Sequence, residues 1–178
     1  MTFAAAVKAR RIPLDPSADV KVKAAKKRAG DEMEIPTPEQ VGAVLEAADP
    51  MFRGFVAVCA FAGLRLGEAA GLRVGDVDFL RRTIRVDRQV QGDTNSTTVL
   101  VPPKAGSART VYVPEALTDM LARHVEEVGT RGEERYLFSN GGHLFNRNSA
   151  GHYWREAAKA AGLEGFTLHS LRHYFASG

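Results

Sequence analysis

The stretch from Met51 to Ala62 is apolar on nearly every side of a helix and stops at Gly63. A helix without a polar face has to be surrounded by other elements, because any side left in water forfeits the gain of burying it. It is too short to cross a bilayer, which takes roughly 20 apolar residues. The chain has 178 residues, enough for one domain with a real core wrapped around such a helix. The single cysteine, Cys59, lies inside this run. A lone buried thiol permits no disulfide within the chain and fits a reducing compartment. The N-terminus lacks the basic, apolar, small order of a signal peptide. No membrane partner is expected, and a cytoplasmic location is.

The flanking sequence supplies the shell. Thr37-Pro38-Glu39-Gln40 is a helix start: Thr37 caps, Pro38 fits the first turn and Gln40 completes a capping box. Val41, Val44 and Leu45 then form one apolar face. Between Arg82 and Val90, Ile84, Val86 and Val90 alternate with polar residues, as on a half-buried strand. Thr97 to Val101 and Arg109 to Val113 read as two further strands flanking Pro102 to Ser107, which predicts a three-stranded antiparallel sheet with a projecting hairpin. Beyond it, Pro114 opens a helix with Leu117, Met120, Leu121, Val125 and Val128 inward. Asn148 to Ala161 forms another, and a last helix begins near His169. The fold class is therefore α+β: a mainly helical domain with a small three-stranded antiparallel sheet and a β-hairpin.

Residues 1 to 36 read differently. Thr2 to Arg11 is a short helix with little of its own to pack on, and 12 to 36 is a polar linker. Lys21, Lys23, Lys26, Lys27 and Arg28 put five basic residues in eight. A formal net charge of +3 says little about partners. The local run is either a solvated linker or an arm that follows a phosphate backbone.

Three separated pieces carry chemistry. Arg65 stands in a Leu-Arg-Leu-Gly-Glu turn, Lys104 at a hairpin tip, and His169 and Arg172 at a helix start. Each alone is weak. Together, the texts FAGLRLGEAAGLRVGDVD, PPKAGSARTVYVP and FTLHSLRHYFASG resemble the tyrosine recombinase, or phage integrase, family over about Thr37 to Gly178. The resemblance implies site-specific DNA recombination or integration through a 3′-phosphotyrosyl intermediate. In that likeness Arg65 is the first catalytic arginine and Glu68 the acidic residue supporting it. Lys104 is the hairpin lysine, and His169 and Arg172 are the His-x-x-Arg pair. Residues 1–36 resemble the end of a core-binding domain and its basic linker, and 37–178 the catalytic domain. The family's nucleophilic tyrosine, and a further His or Trp, are expected beyond Gly178, so that this chain alone is expected to be inactive. Double-stranded DNA and other recombinase subunits are the implied partners. Lys21, Lys23, Lys26, Lys27, Arg28 and Arg109 are the expected DNA contacts.

The residue types suit that chemistry. Attack on a phosphodiester builds charge on the non-bridging oxygens, and arginine offers them a planar, permanently charged fork of donors. Two arginines can hold such a transition state with no metal or other cofactor, and none is expected. His169 and Arg172, three apart, share a helix face. His169 can move a proton near neutral pH, and Lys104 can protonate the leaving 5′ oxygen. Tyr174, two residues past Arg172, is turned about 200° away from that face.

Other readings stay open. Asp76 and Asp78 suggest a two-metal nuclease only if further carboxylates converge, and the sequence offers none. His169 and His173 have zinc spacing, but Ser170 stands where the His-Glu-x-x-His motif has glutamate. His124, His143 and His152 read as surface residues, and Trp154 and Phe145 as core. A type IB topoisomerase-like enzyme, or a remnant that binds DNA or a recombinase without cutting, is the alternative function. Leu171, Tyr174 and Phe175 end the sequence with nothing beyond them, so the last helix is expected to be poorly held.

Overall fold

The computed structural model describes residues 3–17, 34–103 and 107–178. The chain divides into two units, Met1–Met33 and Glu34–Gly178. In the first, α1 (Phe3–Lys8) is a short helix followed by a turn in which Asp15 Oδ1 accepts from Ser17.

The second unit is built around one helix. α2 (Pro38–Ala47) begins at the expected box: Thr37 Oγ1 accepts from the Gln40 amide at 3.3 Å and Gln40 Oε1 from the Thr37 amide at 2.8 Å. α3 (Pro50–Phe61) starts at Asp49, whose carboxylate accepts from the Met51 amide. As its sequence demands, α3 is buried almost throughout. Its Phe52 and Phe55 rings stack at 5.0 Å, and Phe55 meets Phe138 and Phe145 edge-on at 5.5 and 5.3 Å. Around it pack α2, α4 (Leu66–Ala70), α5 (Glu115–Glu127) and α7 (Leu168–Ser177). α6 (Arg147–Ala160) closes the shell on α2, bringing Trp154 and Phe145 into the core as expected.

β1 (Val77–Asp78), β2 (Thr83–Val86) and β5 (Arg109–Tyr112) form an antiparallel sheet in the order β1-β2-β5, with Ile84 opposite Val77 and Val111. β3 (Gln89–Gln91) and β4 (Val99–Val101) make a separate hairpin. A third pair, β6 (Ser139–Asn140) and β7 (His143–Leu144), precedes α6. The three-stranded sheet is thus present, but its membership differs from expectation. The run from Arg82 to Val90 breaks at Asp87-Arg88. Arg88 sits at an inward position and cannot be left unpaired there. It turns to the buried Asp76, which also accepts from Arg85 at 3.1 Å and from the Arg73 amide at 2.9 Å.

Three further expectations change. His124 is buried, not on the surface: its Nε2 lies 2.8 Å from the Leu137 carbonyl oxygen, and its ring is 5.1 Å from that of Phe138. Room for it comes from Gly54, where a Cβ would stand 3.2 Å from Nδ1. Val128 is exposed, because α5 ends one residue before it and the chain turns away. The α7 helix packs on α3 and does not stand free of the core. Leu171 is buried against the core and Tyr174 partly so, while Phe175 keeps 41% of its surface exposed.

Candidate active site

The site is assembled on one carboxylate. Glu68 is the third residue of α4, and its side chain is 1% exposed. From this position it reaches back to the Arg65 amide, which donates to Oε2 at 2.9 Å. The Arg65 guanidinium donates to Oε1 at 2.9 Å. From β5, Arg109 adds a two-pronged contact, Nη1 to Oε1 at 3.0 Å and Nη2 to Oε2 at 2.9 Å. Burial alone pushes the Glu68 pKa up. The Arg109 and Arg65 hydrogen bonds and the Arg109 charge outweigh it and hold the carboxyl below its usual value. The carboxylate is therefore ionised wherever the fold is intact near neutral pH.

Glycines make the close packing possible. At Gly67 a Cβ would lie 2.4 Å from the Val90 carbonyl oxygen, so α4 lies flush on β3 only because that side chain is missing. Gly63 has φ +60, a conformation other residues adopt at a cost. A Cβ there would stand 2.3 Å from the Phe175 ring of α7. The carbonyl of Gly63 accepts from Nη1 of Arg172. The turn that presents Arg65 thus also holds the second arginine. A cleft of about 160 Å³ beside them is lined by Gly63, Arg109, Arg172 and Phe175.

His169 is exposed at the start of α7, where Thr167 caps by accepting from the Ser170 amide at 3.3 Å. Its ring meets that of His173 at 4.6 Å, nearly perpendicular. Partial burial, then the neighbouring His173, Arg172 and Arg65, lower its pKa and favour the neutral imidazole. Burial first, then repulsion from Arg65, also lowers that of Arg172. The thiol of Cys59, beneath the site on α3, is pushed up to about 12 by burial and by the Glu68 charge, so it is no nucleophile.

Arg65, Glu68, Arg109, His169 and Arg172 are thus gathered in one place. Arg109, expected to touch DNA, spends both terminal nitrogens on Glu68. Lys104 lies outside the described residues, as do Lys21, Lys23, Lys26, Lys27 and Arg28. Asp76 is enclosed by arginines, and among the described residues no group of three or more His, Cys, Asp or Glu side chains could hold a metal ion. No helix among them is long and apolar enough to cross a membrane. Sequence reasoning missed the supporting parts of the site: the Gly63 carbonyl, the Gly67 contact and the ring of His173. The signal available was a glycine on either side of Leu64-Arg65-Leu66.

The profile of the Phage integrase family matches residues 34–178. Tyrosine recombinase XerD of Mycobacterium leprae is 32% identical over 153 residues, which cover 78% of this chain and 43% of that protein. A XerC-like tyrosine recombinase of Caldanaerobacter subterraneus subsp. tengcongensis is 28% identical over 136 residues, 65% of this chain and 35% of that one. The chain therefore spans less than half the length of these relatives. Among solved structures, the Tn1549 transposon integrase in complex with a circular intermediate DNA superposes with a TM-score of 0.76 at 20% identity, covering 98% of this chain and 62% of that one. XerA recombinase gives 0.63 at 26% identity, covering 80% and 49%.

Proposed function

Because the chain belongs to the phage integrase family of tyrosine recombinases, we propose that it is the phosphate-gripping part of a site-specific DNA recombinase. Arg65 and Arg172 hold the non-bridging oxygens of the scissile phosphodiester, and Glu68 orients Arg65. His169, neutral in its cationic surroundings, takes a proton from the attacking hydroxyl. Lys104 protonates the departing 5′ oxygen. The observation that carries this reading is a buried carboxylate held by Arg65, just ahead of α4, and by Arg109 of β5, with Arg172 of α7 bonded to the neighbouring Gly63 carbonyl and an imidazole on the same helix. Such preorganised donors cost no rearrangement as charge develops on the phosphate.

Residues 37–178 act as the catalytic domain. Residues 1–36 are the end of a core-binding domain and a linker whose basic run, Lys21 to Arg28, follows the DNA backbone. Double-stranded DNA in the cytoplasm is the substrate, and further recombinase subunits complete the assembly. The attacking tyrosine is none of the four within residues 1–178. Tyr112 is 82% exposed on β5, the hydroxyl of Tyr136 accepts from Arg73, that of Tyr153 lies against Asn140, and Tyr174 packs on the core.

A nicked suicide duplex tests the reading. The chain is expected to bind it in a salt-dependent manner, to bind more weakly as Arg65→Ala or Arg172→Ala, and to give no covalent band on a denaturing gel. A band that disappears in Tyr174→Phe would make Tyr174 the nucleophile. Absence of any duplex binding at low salt would overturn the reading altogether.

A further inference from the structure

We infer that Arg109 is a positioning residue of this site: from β5 it clamps the Glu68 carboxylate and thereby fixes the guanidinium of Arg65. The inference rests on the proposed phosphate-gripping role, but its first test does not. A carboxylate has about four lone-pair directions. On Glu68 two are taken by Arg65, through its amide and Nη1, and two by Arg109, through Nη1 and Nη2. With its side chain 1% exposed, Glu68 has little water to replace a missing donor. Without Arg109 the carboxylate is half-satisfied and free to rotate, and the guanidinium of Arg65, 46% exposed, is held through that carboxylate.

The clamp also decides the sign of the site. Arg65 alone beside Glu68 would be a neutral pair. With Arg109 on the same carboxylate and Arg172 held at the neighbouring Gly63 carbonyl, three guanidiniums stand against one carboxylate, and the cluster is cationic toward a phosphate. Arg109 stands five residues after Lys104 in the sequence, and its Nη1 also approaches the Ser107 carbonyl at 3.4 Å. It therefore ties the strand that follows the Lys104 segment to the same carboxylate that holds Arg65. A lysine at 109 would keep the charge but lose the fork, since an ammonium cannot address both oxygens in plane.

Arginine-detected NMR of the free chain is the first test. The wild type is expected to show Arg65 with slow guanidinium rotation and separate Nη signals. In Arg109→Lys these are expected to merge, while the amide spectrum stays folded. Arg109→Gln, which keeps a planar hydrogen-bonding end but loses the charge and the two-pronged fork, is expected to do the same and serves if Arg109→Lys does not fold. Unchanged Arg65 signals in a folded variant overturn the inference. Duplex binding gives the second readout. A positioning role predicts that Arg109→Lys weakens binding as much as Arg65→Ala does, and that the double variant is no weaker than either. A plain phosphate contact would instead leave Arg109→Lys at wild-type affinity, and would lower the log K against log salt slope by roughly 0.9 in Arg109→Ala, one phosphate's worth. That result would sink the clamp. If no variant or wild type binds duplex, the functional reading fails while the NMR outcome still decides the clamp.

Discussion

Two glycines of this chain face opposite surroundings, and the difference sets what a single methyl group does. At Gly67 a Cβ would press on the Val90 carbonyl at 2.4 Å; at Gly42 nothing lies within 4 Å. Gly67→Ala is expected to cost about 1–3 kcal/mol by forcing α4 off β3. Gly42→Ala, inside α2, is expected to gain about 0.5–1 kcal/mol from helix propensity and a less free unfolded chain. Thermal unfolding of the two variants checks both signs, and a Gly67→Ala midpoint at or above wild type would contradict the first. His124 supplies a pH dependence. Burial lowers its pKa in the fold below the ordinary 6.5, so the folded state prefers the neutral ring. Its contribution is then fully present above the unfolded pKa and is lost as pH falls through the folded one. The melting temperature should drop between pH 7.5 and 5.5, and the drop should shrink in His124→Gln. Equal slopes for the two proteins would show that His124 is not the group responsible.

Among the elements, α7 departs furthest from expectation. Its sequence reads as a poorly held helix; in the structure Leu171 is buried against the core around α3. Leu171→Ala is therefore expected to destabilise by about 2–5 kcal/mol, as removal of a buried leucine does. A change under about 1 kcal/mol in chemical denaturation would restore the frayed helix. The difference has a physical cause. Helix existence is legible in capping residues and apolar spacing, so α2, α3, α5, α6 and α7 are all visible in the sequence. Which surface receives a helix is a tertiary fact with no local signature. The strand that breaks at Asp87-Arg88 behaves in the same way: alternation continues through Val90, and only an arginine at an inward position hints that the chain leaves the sheet to reach Asp76. Likewise Arg65 and Glu68 are legible because they are neighbours in one turn. The role of Arg109 is not, because its partner lies 41 residues away.

At the scale of the whole molecule, charge is local and not global. The net +3 hides a basic run at Lys21 to Arg28 and a cationic cluster at Arg65, Arg109 and Arg172. Replacing Lys21, Lys23, Lys26, Lys27 and Arg28 together by alanine is expected to flatten the dependence of duplex affinity on salt, by up to roughly 0.9 for each phosphate the run neutralises. An unchanged slope in a filter-binding titration would show that the run stays in solvent. The shared carboxylate has a bearing on how the protein becomes competent at all. Glu68 draws donors from the turn before α4 and from β5, so the arrangement proposed above as an anion grip depends on both. On the proposed reading the grip is complete only with β5 docked, because Arg109 supplies two of the four donors on Glu68. Competence is then a property of a subglobal opening equilibrium, distinct from global stability. The Arg109 Nη protons, whose acceptor is Glu68, are the reporter: they should exchange with the same opening free energy as the amides of β5, and more readily than the amides at the centre of α3.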